Sequence, residues 1–136
     1  MKNNWNLKGF GVKYILVLVF ALLLFVPSVD AKTYSKKECK QYARNLVINK
    51  YHWSVKDYKN LVKLWNRESG WNVKAYNRRI NACGITQAAP CSKMRNAGAD
   101  YRTNCKTQIK WGLKYIKRRY KNPTKAWKHF KKYNGY

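Results

Sequence analysis

Four cysteines, Cys39, Cys83, Cys91 and Cys105, stand in the part of the chain that follows a long apolar N-terminal run. An even count in that setting reads as two disulfides formed in an oxidising compartment, and two cross-links restrict the fold of a short chain more than any other feature. Three pairings are open. Cys83 and Cys91 closely bracket "GITQAAP", and Cys39 and Cys105 each sit near the start of a predicted helix. The reading therefore favours 83 with 91 and 39 with 105. Zinc is the competing use of four cysteines, but no C-x-x-C pair occurs and His52 and His129 lack matching spacing. No metal and no cofactor is implied.

Upstream, Lys2, Lys8 and Lys13 precede "YILVLVFALLLFVPSV", and Val29-Asp30-Ala31 places small residues where a signal peptidase cuts. Residues 1–31 are expected to be a secretory signal peptide cleaved after Ala31. The rival is a retained anchor, although the apolar run falls a little short of the ~20 residues that span a bilayer. Export would place the protein outside the cytoplasm, secreted or in the cell envelope, with the membrane met only through this segment. Residues 32–136 then form one domain, at the small end of what a single core stabilises.

Removing three lysines and Asp30 from a formal charge of +25 leaves 27 positive and 4 negative groups, or +23. Such a field concentrates a protein on polyanions and goes well beyond what solubility requires. Acidic polymers of a cell envelope suit an exported chain. No nucleic-acid-reading motif is present, so contact with nucleic acid would be charge-driven and non-specific.

The pattern over 32–136 is helical. Ser35 with Glu38, and Ser54 with Asp57, have capping-box spacing. After them, Cys39, Tyr42, Ala43, Leu46 and Val47 share one helical face, and Val55, Tyr58, Leu61, Val62 and Trp65 share another. Gly70 suits a C-terminal stop. "NACGITQAAP" has no helical period and reads as a loop or small hairpin cross-linked at its base. "CSKMRNAG" follows as a short helix. Cys105, Ile109, Gly112, Leu113, Ile116 and Tyr120 then fall in register behind an Asn104 cap, and Asn122-Pro123 opens a last helix. The expected fold is all-α, about five helices with at most a small hairpin.

Only four carboxylates remain in the domain. Glu38 and Asp57 have capping duties, and Asp100 in "GADYRTN" suits a turn whose backbone amides it bonds. Glu68 alone has no structural duty. It lies three residues past Trp65 on the apolar stripe, where burial raises a carboxyl pKa while Arg67 and the positive field lower it. Its structural alternative is a buried salt bridge to an arginine.

Glu68-Ser69 at a helix end, Gly84-Ile85-Thr86-Gln87 in a loop and Tyr115-Ile116 in a later helix, set within "LWNRESGWN", "GITQA" and "QIKWGLKYIKRRY", together resemble the ordered signature of the soluble-lytic-transglycosylase and goose-type-lysozyme superfamily. The resemblance implies a lysozyme-like fold and peptidoglycan as substrate, for a chain acting as a monomer. It makes Glu68 the catalytic acid and base. It also makes Ser69 a residue that bonds substrate or holds the acid's surroundings, Gln87 a residue lining the groove, and Tyr115 one whose hydroxyl reaches the carboxylate. Structural alternatives remain, helix packing for Tyr115 and a turn-stabilising amide for Gln87. Trp71 and Tyr76 have flat faces suited to stacking on sugar rings. Thr86 stands where Pro is usual, and a Cys83–Cys91 link would staple a hairpin that is ordinarily free.

One carboxylate suits one chemistry. Most glycosidases flank the scissile bond with two. A lytic transglycosylase needs one, because the substrate's own C6 hydroxyl is the nucleophile and tethering replaces a positioned water. The alternatives are a hydrolytic muramidase on the same fold and a non-catalytic cationic protein that binds envelope polyanions or disrupts membranes.

Overall fold

The computed structural model describes residues 32–136, so the expected signal segment lies outside the described residues. Four α-helices, α1 (Lys36–Asn45), α2 (Val55–Ser69), α3 (Cys105–Tyr120) and α4 (Pro123–Tyr133), carry the fold. Between α2 and α3 come a two-residue-per-strand hairpin, β1 (Tyr76–Asn77) with β2 (Ala82–Cys83), and a 3-10 helix, Cys91–Ala97. The expected short third helix is therefore wound more tightly than α. The last turn of α1 widens into a π-helical stretch, Leu46–Lys50.

Both serine caps form. Ser35 Oγ accepts from the Glu38 amide at 3.2 Å while the Glu38 carboxylate accepts from the Ser35 amide at 2.8 Å. Ser54 and Asp57 repeat the exchange at 3.1 and 3.0 Å, a device that contributes about 1 kcal/mol per cap. Asp57 does more than cap. Its second oxygen accepts from the Thr124 amide at 3.2 Å and the Thr124 hydroxyl at 2.6 Å, clamping the start of α2 to the first turn of α4. Burial opposes the charge on Asp57, but these bonds from Thr124 and Ser54 win and hold its pKa below the usual carboxylate value.

The core collects one face of each helix. Cys39, Ala43 and Val47 meet Leu61, Leu64 and Trp65, then Ile109, Leu113 and Ile116, then Ala126 and Phe130. Each large apolar side chain buried here contributes about 1.5–3 kcal/mol. The α3 register is buried throughout, as its spacing predicts. Val55 departs from expectation: as the first residue of α2 it lies at the rim and is exposed, and Leu64 is buried in the stripe instead. A second, smaller cluster of Cys83, Ala88, Cys91, Met94 and Tyr101 fills the space under the hairpin, with Trp111 packed against it half-buried rather than in the main core.

The favoured cysteine pairing is the one formed. Cys39–Cys105 joins α1 to α3 across 66 residues of sequence, and Cys83–Cys91 joins β2 to the 3-10 helix. Among the described residues no helix is long and apolar enough to cross a membrane.

Candidate active site

Three pieces of backbone converge at the C-terminal end of α2, and a buried amide holds two of them. Gln108, fully buried on α3, accepts from the Ile85 amide at 2.9 Å through Oε1. Its Nε2 donates to the carbonyls of Val73 and Tyr101 at 3.0 and 2.8 Å. The loop 84–87 is thereby pinned to α3. Two glycines make the approach possible: a Cβ on Gly84 would sit 2.5 Å from Gln108 Oε1, and one on Gly112 would sit 2.5 Å from Thr86 and 2.8 Å from Trp65. Gly84 also has φ of +74°, which disfavours any side chain.

From the other side, Ser69 Oγ donates to the Ile85 carbonyl at 2.8 Å and so ties the end of α2 to the same loop. Gln87 has φ of +46°, and its side-chain amide donates to the Gly84 carbonyl at 3.0 Å, the turn-stabilising bond. Its half-buried position keeps it at the edge of the loop.

Glu68 sits in this junction, half-buried, one turn from the fully buried Trp65. Among the described residues no hydrogen bond or ion pair holds its carboxyl, and the exposed Arg67 leaves it unpaired. Among the described residues no fully buried side-chain oxygen lacks a partner, so the unpaired carboxyl oxygens must touch solvent. Burial alone acts on the group and pushes its pKa up to about 7. The other three carboxylates go the opposite way. Bonds from Ser35 hold Glu38 down, and bonds from the Thr107 hydroxyl at 2.7 Å and the Asn104 side-chain amide at 2.7 Å hold Asp100 down. Asp100 therefore fastens its turn chiefly through side chains rather than through the backbone amides its position suggests. Asp57, eleven residues earlier on the same helix, lies about 16 Å along the axis from Glu68, too far to act as its pair.

The aromatic placements sort differently from expectation. Trp71 is 1% exposed, packed edge-on against Trp65 with ring centroids 5.2 Å apart, so its face is core and not a sugar platform. Tyr76 is 54% exposed on β1, its hydroxyl donating to Asn81 Oδ1 at 3.3 Å. Tyr115 is half-buried, its ring parallel to Trp111 at 5.3 Å and edge-on to Tyr136 at 5.8 Å. No hydrogen bond joins Tyr115 to Glu68 among the described residues.

A different phenol reaches the site. The Tyr136 hydroxyl accepts from the Trp65 indole N–H at 2.8 Å and donates to the Thr86 carbonyl at 3.1 Å, bridging α2 to the loop. Burial first, then the charge of Glu68, raises its pKa well above the ordinary tyrosine value. Nothing periodic in "KKYNGY" announces this role. Gln108 did leave a signal: it is a polar residue within the apolar register of Cys105, Ile109 and Gly112.

Neither the curated proteins nor the solved structures contain a match to this chain. The transglycosylase SLT domain family matches residues 47–135, a span that takes in Glu68, the hairpin, α3 and α4. The chain, about two thirds of which is covered by that match, belongs to the transglycosylase SLT domain family.

Proposed function

We propose that this chain, within the peptidoglycan lytic transglycosylase activity that its family carries in general, cleaves the β-1,4 bond between N-acetylmuramic acid and N-acetylglucosamine with Glu68 as its single acid and base, leaving 1,6-anhydro ends. One observation supports the reading above the others: Glu68 is the carboxyl raised to about 7 by burial, while Glu38, Asp57 and Asp100 are each held ionised by hydrogen bonds. A pKa at the working pH suits a group that must first give and then take a proton.

In the proposed cycle Glu68 donates its proton to the glycosidic oxygen as the bond from that oxygen to the muramic C1 breaks. The neighbouring N-acetyl group supports C1 as it loses the leaving sugar. The carboxylate then accepts the proton of the C6 hydroxyl while O6 bonds to C1, which restores the acid. Proton, bond and charge balance without a second carboxylate and without water. Ser69 positions the loop, Gln87 and Tyr115 line the groove beside it, and Tyr76 offers a ring to a sugar face.

We place the enzyme outside the cytoplasm, working as a monomer, with its charge drawing it to anionic envelope polymers. The two disulfides accord with that compartment. The test of the assignment is Glu68→Gln on purified peptidoglycan. Solubilisation is expected to fall by about a hundredfold to ten-thousandfold, the usual contribution of a positioned proton donor. Unchanged solubilisation would instead favour the non-catalytic cationic reading.

A further inference from the structure

A groove of about 410 Å³ runs between the π-helical end of α1, the 3-10 helix and one face of α3, and five of its lining residues are cations: Lys50, Lys93, Lys110, Lys114 and Arg118. Among the described residues no carboxylate lines it. Three of the cations, Lys110, Lys114 and Arg118, are four residues apart on α3 and form one row about 12 Å long. Like charges at that spacing oppose helix formation unless an outside anion compensates them. Beside the row stand Trp111 and Tyr115, also four apart, with parallel rings that make one continuous aromatic wall.

The groove is not isolated from Glu68. Tyr115 forms its wall and meets Tyr136 edge-on, and Tyr136 bonds Trp65 and Thr86 within the site. A strand seated at Glu68 thus has this groove as a neighbour. We infer that the row of Lys110, Lys114 and Arg118, with the Trp111–Tyr115 wall, receives the carboxylate-bearing peptide side arms of the same peptidoglycan strand. This rests on the substrate proposed above. Side arms of the cleaved strand fit better than a free polyanion because they bring closely spaced carboxylates to a groove that adjoins the point of cleavage.

Binding to a catalytically silenced chain tests the inference apart from turnover. In a Glu68→Gln background, Lys110→Gln, Lys114→Gln and Arg118→Gln together are compared with an equal loss of charge elsewhere, Lys125→Gln, Lys128→Gln and Lys132→Gln on α4. The probes are peptidoglycan with intact side arms, the same glycan stripped by an amidase, and a single-stranded oligodeoxynucleotide. The α3 variant is expected to lose about tenfold in affinity for the intact polymer and less than about twofold for stripped glycan, with the α4 variant nearly unchanged on both. Equal losses for the two variants, or equal losses on all three probes, would show a diffuse charge effect and overturn the inference. If the probes separate as expected but the unsubstituted chain cleaves neither glycan, the groove stands and the proposed enzymatic function fails.

Discussion

At the scale of single residues, the question about Glu68 was whether burial beside tryptophan outweighs a domain charge of +23. It does, because the cations project outward and the carboxyl has only desolvation acting on it. With Glu68 as the proposed acid, activity needs its protonated form, so kcat/KM is expected to fall with increasing pH above about 7, tenfold per unit, as initial rates across a buffer series would show. No acid limb from a partner carboxylate is expected, since the base is generated in the cycle. For stability, the native state holds a proton between the ordinary value of 4.5 and about 7 that the unfolded chain has released, so Glu68 costs stability progressively as pH rises through that window. Thermal unfolding of Glu68→Gln should therefore show a midpoint a few degrees above the parent at pH 8 and little difference at pH 4. The residues around it were only partly legible beforehand. Trp71 has the composition of a sugar platform and the position of a core residue, and sequence gives no way to see Trp65 lying against it.

Between elements, what matters is how closely the loop 84–87 rides on α3. Gly112 sits in an apolar helical register where alanine looks harmless, yet its missing Cβ leaves room for Thr86 and Trp65. Gly112→Ala is expected to destabilise by about 1–3 kcal/mol in urea unfolding and to lower kcat, because the loop that frames Glu68 must lift. The cross-links divide their work by span. Removing Cys39–Cys105 with alanines should cost about 4 kcal/mol in the chain-entropy account, and removing Cys83–Cys91 about 2 kcal/mol, since the latter closes a loop of only 8 residues. Paired denaturation curves would order them. Caps and helical stripes were legible because each depends on local spacing, and the pairing because Cys83 and Cys91 are near neighbours in sequence, which leaves Cys39 and Cys105 to each other. The π turn, the tight 3-10 winding and the exposed Val55 were not, because each is decided by what packs from elsewhere in the chain.

At the largest scale, the four α-helices and the stapled hairpin of the described residues bring a helix end, a loop and a tyrosine beyond α4 to one junction that no local pattern specifies. The family was readable from the ordered set Glu68, Gln87 and Tyr115, and its match over residues 47–135 bears that resemblance out. The bridge of Tyr136 between Trp65 and Thr86 was not, since it joins residues 71 and 50 positions apart in sequence. The proposed cycle, with one carboxyl performing both proton transfers, has a direct chemical signature. Purified peptidoglycan digested by the unsubstituted protein, with product ends identified by mass spectrometry, should yield muramic residues lighter by one water and resistant to borohydride. Reducible muramic ends would show that water, not the C6 hydroxyl, attacked, and would contradict it.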